Sequence, residues 1–346
     1  MRISFIGPDR GTSRQRANAL VRLKHEVTIV DPRSWLPRSV WVDRWLVHAG
    51  GLGIDGMLCR HIYREVSKNK PNFIWVDHGA YIGPEILKYL RRLEIPIVSY
   101  ANDNPFAESV RSMRMRFNNY RRAIPYYDFV VVVFSENVVQ AFNAGAKNVK
   151  RVFLSADEIE HSKHILTDED HIRFDSDVSY IAQWAPERGP FIARLIELGV
   201  PISLWGDRWQ RAKEWPTIKK CWRGPGMFDD RYAKVIQCTK VSLCLLSKIA
   251  RNFHTGRSLQ IPMLGSVLCA ERSVEHSMLY EEGTEAIFWS DAEECAALCH
   301  ELLADDTRRA VIARRGHERA LRNNYFNEPM LASIIEAAMN VRREKQ

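Results

Sequence analysis

The stretch HTGRSLQIPMLG, residues 254–265, sets hydrogen-bonding and cationic side chains at the start of an apolar run. If Thr255, Gly256 and Arg257 open a helix there, its free N–H groups and positive end favour a diphosphate. Gln260, one turn on, then faces the same ligand and can bond a ribose hydroxyl, and Pro262 and Gly265 end the helix before the next strand. Arg188, in QWAPERG (183–189), follows another apolar run. Its planar fork of donors can reach a pyrophosphate, or it can be a surface arginine capping the next helix. In VDHGAYIG (76–83) and YANDNPF (100–106), a strand end presents Asp77, His78 or Asp103 as a proton acceptor for a hydroxyl. Turn chemistry accounts for the same residues, because Asp and Asn cap loops.

GPDRGTSRQR (7–16) puts glycines and hydroxyls between an apolar run and a helix-like one. Its spacing is neither GxGxxG nor a P-loop, so it reads as a tight turn capped by Thr12 or Ser13, or as a contact for an acceptor or phosphate. No Ser/His/Asp order, HExxH or kinase set is present.

These residues need strands to place them. RISFIG (2–7), EVTIVD (26–31), NFIWVD (72–77), PIVSYA (96–101) and DFVVVVF (128–134) are short β-rich runs, and helical segments over 14–23, 84–93 and 136–146 separate them. Continuous apolar runs of this kind belong to a parallel sheet covered on both faces. Residues 155–177 break the rhythm with charge and histidine, which places an interdomain crossover there. A second series follows at 177–184, 201–206, 241–246, 265–270 and 285–290, and residues 291–321 form an amphipathic helical stretch. Two doubly wound α/β domains with a cleft are expected, and ligands of such sheets bind beyond the carboxyl ends of the strands.

The 346 residues suit two domains, and no apolar run is long enough to span a bilayer. The N-terminus runs straight into a strand, with no signal-peptide order, so a cytoplasmic protein is expected. Seven cysteines without paired CxxC knuckles read as reduced core residues; Cys295 and Cys299 alone have helical spacing for half a metal site, and no metal is expected. A formal net charge of +8 favours anionic partners. RSMRMRFNNYRR (111–122) is either a solvated helix face or a contact for an anionic acceptor or a peripheral membrane surface. Nucleic acid ranks below both.

In this setting the chain resembles the CgeB-like (spore maturation protein) glycosyltransferases. The likeness is carried by WAPER, LWGDRW, HTGRSLQIPMLG, YEEGTEAIFW and RRGHERAL in the second half, and by GTSRQRANAL, YANDNPF and NAGAKNV in the first. It implies a GT-B fold of two facing Rossmann-like domains: residues 1–160 for the acceptor, 176–327 for a nucleotide sugar, and a helix within 328–346 crossing back to the first. It implies transfer of a sugar from a UDP-, GDP- or dTDP-linked donor to a hydroxyl-bearing acceptor, with no cofactor beyond that co-substrate. Trp184, Arg188, Gly206, Met227, Phe228, Lys248, Asn252, His254, Thr255, Gly256, Arg257 and Gln260 fall on the donor side. Gly11, Thr12, Arg14, Asp77 and Asn104 fall on the acceptor side, and Asp103 or His78 is the base. Retaining relatives carry two glutamates where Asn252 and Gln260 stand. That departure leaves room for a nucleotide-binding regulator without catalysis, and the basic balance for a transferase acting on nucleic acid.

Overall fold

The structure is a computed structural model and describes residues 1–108 and 111–343. The chain divides into two compact units, one of residues 1–154, 249–252 and 326–346, the other of residues 155–248 and 253–325. Residues 155–160, read from the sequence as the end of the first domain, thus group with the second.

The first unit holds six parallel strands: β1 (Arg2–Ile6), β2 (Glu26–Val30), β3 (Phe73–Asp77), β4 (Ile97–Ala101), β5 (Phe129–Val132) and β6 (Val149–Arg151). Their order is β2-β1-β3-β4-β5-β6. Every residue of β3, β4 and β5 is buried, as their apolar runs require when helices cover both faces. Burying side chains such as Phe73, Ile74 and Ile97 contributes roughly 1.5–3 kcal/mol each before the entropy of ordering the chain is subtracted. The three-residue edge strand β6 carries no periodic signal, and the sequence reading does not assign it. Helices Val40–His48 and Ile54–Lys68 are likewise unassigned by it. The last helix, Asn327–Arg343, belongs to this unit: Glu328 pairs with Arg22, and Lys150 Nζ donates to the Ser333 carbonyl at 2.9 Å.

The second unit repeats the plan with β7 (Ser176–Ile181), β8 (Ile202–Trp205), β9 (Trp222–Gly224), β10 (Thr239–Cys244), β11 (Val267–Glu271) and β12 (Ile287–Trp289). Their order is β12-β11-β10-β7-β8-β9. The charged stretch before β7 contains a helix, Asp168–Phe174. Thr167 and Asp170 cap it reciprocally, and Lys234 adds a 2.9 Å ion pair to Asp170. The backbone N–H of Thr167 and that ammonium hold the Asp170 carboxyl down to about 2. The stretch 291–321 is helical as expected and consists of two helices, Ala292–Ala304 and Asp306–Arg322, separated at Asp305, whose carboxylate caps the second at Arg308 N, 2.8 Å away.

Gly206 fixes the loop after β8. Its φ is +150°, and a Cβ there would stand 1.8 Å from the Ala182 carbonyl oxygen. That oxygen also accepts from Trp209 Nε1 at 2.8 Å, so neither neighbour can withdraw without losing a buried bond. Gly206→Ala is therefore expected to cost about 3 kcal/mol or more, read as a lower midpoint in denaturant unfolding.

Candidate active site

In each sheet the winding reverses at one point: β1/β3 in the first unit and β7/β10 in the second. Loops diverge at such a point and leave a crevice beyond the strand ends.

In the second unit, helix Gly256–Leu264 starts beyond β10 with Thr255 as its N-cap residue. Ser258 Oγ accepts from Thr255 N at 3.0 Å, whereas the first helical amides, those of Gly256 and Arg257, have no carbonyl four residues back. The carboxamide of Gln260 folds back beside Gly256, where a Cβ would come 3.1 Å from its nitrogen. Pro262 does not end the helix, as the sequence suggested; it sits inside it, and Gly265 with φ +87° is the stop. One proline in the last turn removes a single helical hydrogen bond, which so short and well buried a helix absorbs.

Arg257 is the second residue of this helix, and Arg188 opens another, Arg188–Glu197. The charges of Arg188 and Arg257 both act on the buried Tyr180 hydroxyl, whose pKa burial nonetheless raises. Arg188 spends one nitrogen on the Gln183 carbonyl at 2.6 Å, and its Nε is buried without a hydrogen-bond partner. Arg257 Nε is also buried and unpartnered, as are Trp184 Nε1, Glu187 Oε1 and the hydroxyls of Tyr180 and Tyr232. Buried polar atoms are nearly always satisfied, so these six are candidates to bond a ligand. Glu187, Tyr180 and Tyr232 are absent from the sequence reading. Glu187 lies inside the WAPER motif and was legible there; the tyrosines had no signal.

The other donor-side residues fall in graded positions. Lys248 is exposed and ion-paired with Glu271, whose second oxygen accepts from Leu246 N at 3.2 Å, so its charge is largely compensated. His254 is fully buried, with Nδ1 2.5 Å from Glu275 Oε2, and supports the helix start from within rather than touching a ligand directly. Met227 and Phe228 lie on the loop before helix Asp229–Gln237, and Phe228 is exposed. Gly226 N donates to Asp207 Oδ1 at 3.2 Å and so ties that loop to the one after β8. Asn252 groups with the first unit, and its Oδ1 is buried and unpartnered.

In the first unit a cavity of about 1150 Å³ opens beyond β1, β2 and β3. Gly7 to Arg10, Arg33, Arg38, His78, Tyr81 and Arg116 are among its lining residues. His78 lies in the left-handed region with φ +66°. Its Nδ1 is 2.9 Å from Asn102 Oδ1 and its Nε2 2.9 Å from Arg116 Nη2. Arg116 can only donate, so Nε2 is the accepting nitrogen and Nδ1 carries the proton. Asp103 joins them, 3.7 Å from His78 and 3.6 Å from Arg116. The two candidate bases thus sit together.

Several acceptor-side expectations need correction. Asp77 forms a bidentate pair with Arg16, both bonds at 2.8 Å, and accepts from Trp75 Nε1 at 3.1 Å; all of this is buried. A carboxylate so satisfied is a structural anchor and not a base. Asn104 is buried too, bonded to Glu136, Phe106 N and Asn137, and it organises its own loop. Gly11 opens helix Gly11–Arg22 with φ +54°, but neither Ser13 nor Thr12 caps it. Thr12 is exposed, Arg14 pairs with Asp9 at 2.5 Å, and the cavity wall is formed by residues 7–10 instead.

The cysteines are free, and Cys269 joins Cys295 and Cys299 with all three thiols within 4.8 Å of one another in the core of the second unit. The half-site seen in the sequence therefore has a third member on β11. His171, Asp175 and Cys238 form another close group.

This architecture is the GT-B fold. The structure of HepE from Anabaena in complex with UDP-glucose superposes with a TM-score of 0.69 at 13% identity, covering 98% of this chain and 100% of that one. Sucrose-phosphate synthase from Thermosynechococcus elongatus gives 0.69 at 11% identity, with 100% of both chains covered. A putative UDP-N-acetylglucosamine 2-epimerase from Listeria monocytogenes gives 0.61 at 11%, covering 100% of this chain and 97% of that one, so the fold is shared by more than one activity. Residues 188–333 match the glycosyl transferase-like family, a segment that begins at Arg188 and contains Arg257. No curated protein matches the chain significantly.

Proposed function

We propose that the protein is a glycosyltransferase that takes a sugar from a nucleoside diphosphate donor, UDP-linked in the first instance, to a hydroxyl-bearing acceptor. The observation that carries this reading is the pair of buried, unpartnered guanidinium nitrogens of Arg188 and Arg257, whose charges both act on Tyr180, with Arg257 at the start of helix Gly256–Leu264. The family match over 188–333 selects transfer among the activities of this fold, and the UDP and UDP-glucose of the HepE structures motivate the donor class.

In transfer, the bond from the anomeric carbon to the diphosphate breaks and negative charge grows on the leaving group. Donors fixed in advance on that charge, two guanidiniums and two helix-start amides, stabilise the transition state more than the ground state. They supply the role often taken by a metal ion. Gln260 bonds the ribose, and Phe228 stacks on the base. The acceptor enters the first unit's cavity, where its hydroxyl displaces Arg116 from His78 Nε2 and gives up its proton there, while Asp103 steadies the imidazolium. Asn252 and Gln260 are amides where charge would be stronger, which favours a modest turnover and supports, as a second reading, a nucleotide-binding regulator.

Chromatography of the nucleoside diphosphate released from UDP-, GDP- and dTDP-sugars, with water or added acceptor, separates these readings. Release from one donor class is expected. Tight nucleotide binding without any release would establish the regulator.

A further inference from the structure

Beside the first unit's cavity lies a surface that sugar transfer leaves unused. Helix Val40–His48 buries Leu46 but turns Val40, Trp41 and Val47 outward, at 67%, 75% and 43% exposure. Leu52 follows at 74% and Met57 at 57%. Single exposed apolar residues are ordinary, but five within one short segment are not.

Cations share the face. The Arg44 guanidinium lies 5.5 Å from the centre of the Trp41 ring, and Arg38 is exposed just before the helix. Helix Arg111–Arg116 packs alongside and leaves Arg111 and Arg114 exposed. The loop after helix Val40–His48 is held against the second helix: a Cβ on Gly50, whose φ is +61°, would stand 2.0 Å from the Met115 carbonyl oxygen, and Asn119 Nδ2 donates to Gly50 O at 3.1 Å. The acid on this helix, Asp43, is matched by Arg33 at 2.9 Å. The arginine run at 111–122 is therefore no uniform solvated face: Arg116 and Arg121 turn to internal partners, and Arg111 and Arg114 are exposed on the helix that packs against Val40–His48.

We infer that this face docks peripherally on an anionic lipid bilayer. An exposed tryptophan with aliphatic neighbours inserts at headgroup depth, and the surrounding arginines meet lipid phosphates. Val40, Val47 and Arg38 also line the cavity, so docking sets its mouth against the headgroups and presents an acceptor from the bilayer. That last step rests on the proposed transfer reaction; the docking does not.

The test is co-sedimentation of the full chain with phosphatidylglycerol/phosphatidylcholine vesicles and with phosphatidylcholine alone. Binding is expected to the anionic vesicles only and to weaken with salt. Trp41→Ser combined with Leu52→Ser is expected to lower it at least tenfold, and Arg44→Gln and Arg114→Gln about fivefold each. These four side chains lie outside the cavity lining, so donor breakdown in the absence of vesicles is expected to stay unchanged in the variants. No binding to anionic vesicles, or equal binding by the Trp41/Leu52 variant, overturns the inference. So does a concentration-dependent dimer that the same variant abolishes without any vesicle binding, which would make the face a self-association surface. Vesicle binding without donor breakdown would leave docking intact and remove the transfer reading.

Discussion

Arg257→Ala is expected to lower donor turnover about a hundredfold or more, and Arg188→Ala to do the same. Loss of one preorganised donor at a site of developing charge costs roughly 10²–10³ in rate. Arg257 stands at the second position of helix Gly256–Leu264, where the helix end adds to its charge, and its Nε has no partner to release. Among the described residues neither guanidinium holds a carboxylate, so removing one strands no described acid and the protein should remain folded. Unchanged far-ultraviolet circular dichroism and melting, with turnover lost, is the expected pattern. Arg188→Lys should recover only part of the rate, because an ammonium cannot reproduce the planar fork. The double variant should lose less than the product of the two single losses, since both act on one diphosphate. Full activity in Arg257→Ala would remove that residue from the site.

The opposite pattern is expected for Asp77→Ala. This change strands the buried Arg16 guanidinium and removes the acceptor of Trp75 Nε1. Breaking a buried pair by deleting one partner costs about 3–5 kcal/mol, so unfolding should move to markedly lower denaturant or temperature. Turnover per folded molecule at low temperature should survive, because Asp77 handles no proton. Replacing both partners, as in Arg16→Met with Asp77→Leu, should restore much of the stability. A rate loss without destabilisation would return Asp77 to the role of base that its sequence position suggests.

That contrast shows what the sequence could and could not disclose. Asp77 stands at the end of a buried strand, where a carboxylate may point to solvent or inward, and its partner lies 61 residues earlier. Nothing local signals which. Arg188, Gly256, Arg257 and Gln260 drew attention in the sequence because they stand in loops or helix starts that come after apolar strands, and parallel strands present their carboxyl ends to one crevice. Strands β3, β4 and β5 were legible for a related reason, as continuous apolar runs have few other uses. Helix Val40–His48 was not, because Val40, Trp41 and Val47 sit on its outer face and blur the 3.6-residue period that marks an amphipathic helix. Edge strands β6 and β9 are three residues long and lack any period to detect. The third thiol, Cys269, came from another strand and had no spacing to betray it.

The most direct test of the central claim, that Arg188 and Arg257 hold the diphosphate of a nucleotide sugar, is thermal stability of the whole protein with UDP, UMP and uridine at equal concentration. Binding to the native state alone stabilises by about 2.7 kcal/mol at a hundredfold excess over the dissociation constant. The account predicts a clear rise with UDP, a much smaller one with UMP or uridine, and loss of the UDP increment in Arg257→Ala. Equal shifts with UDP and uridine, or an undiminished UDP shift in Arg257→Ala, would contradict it.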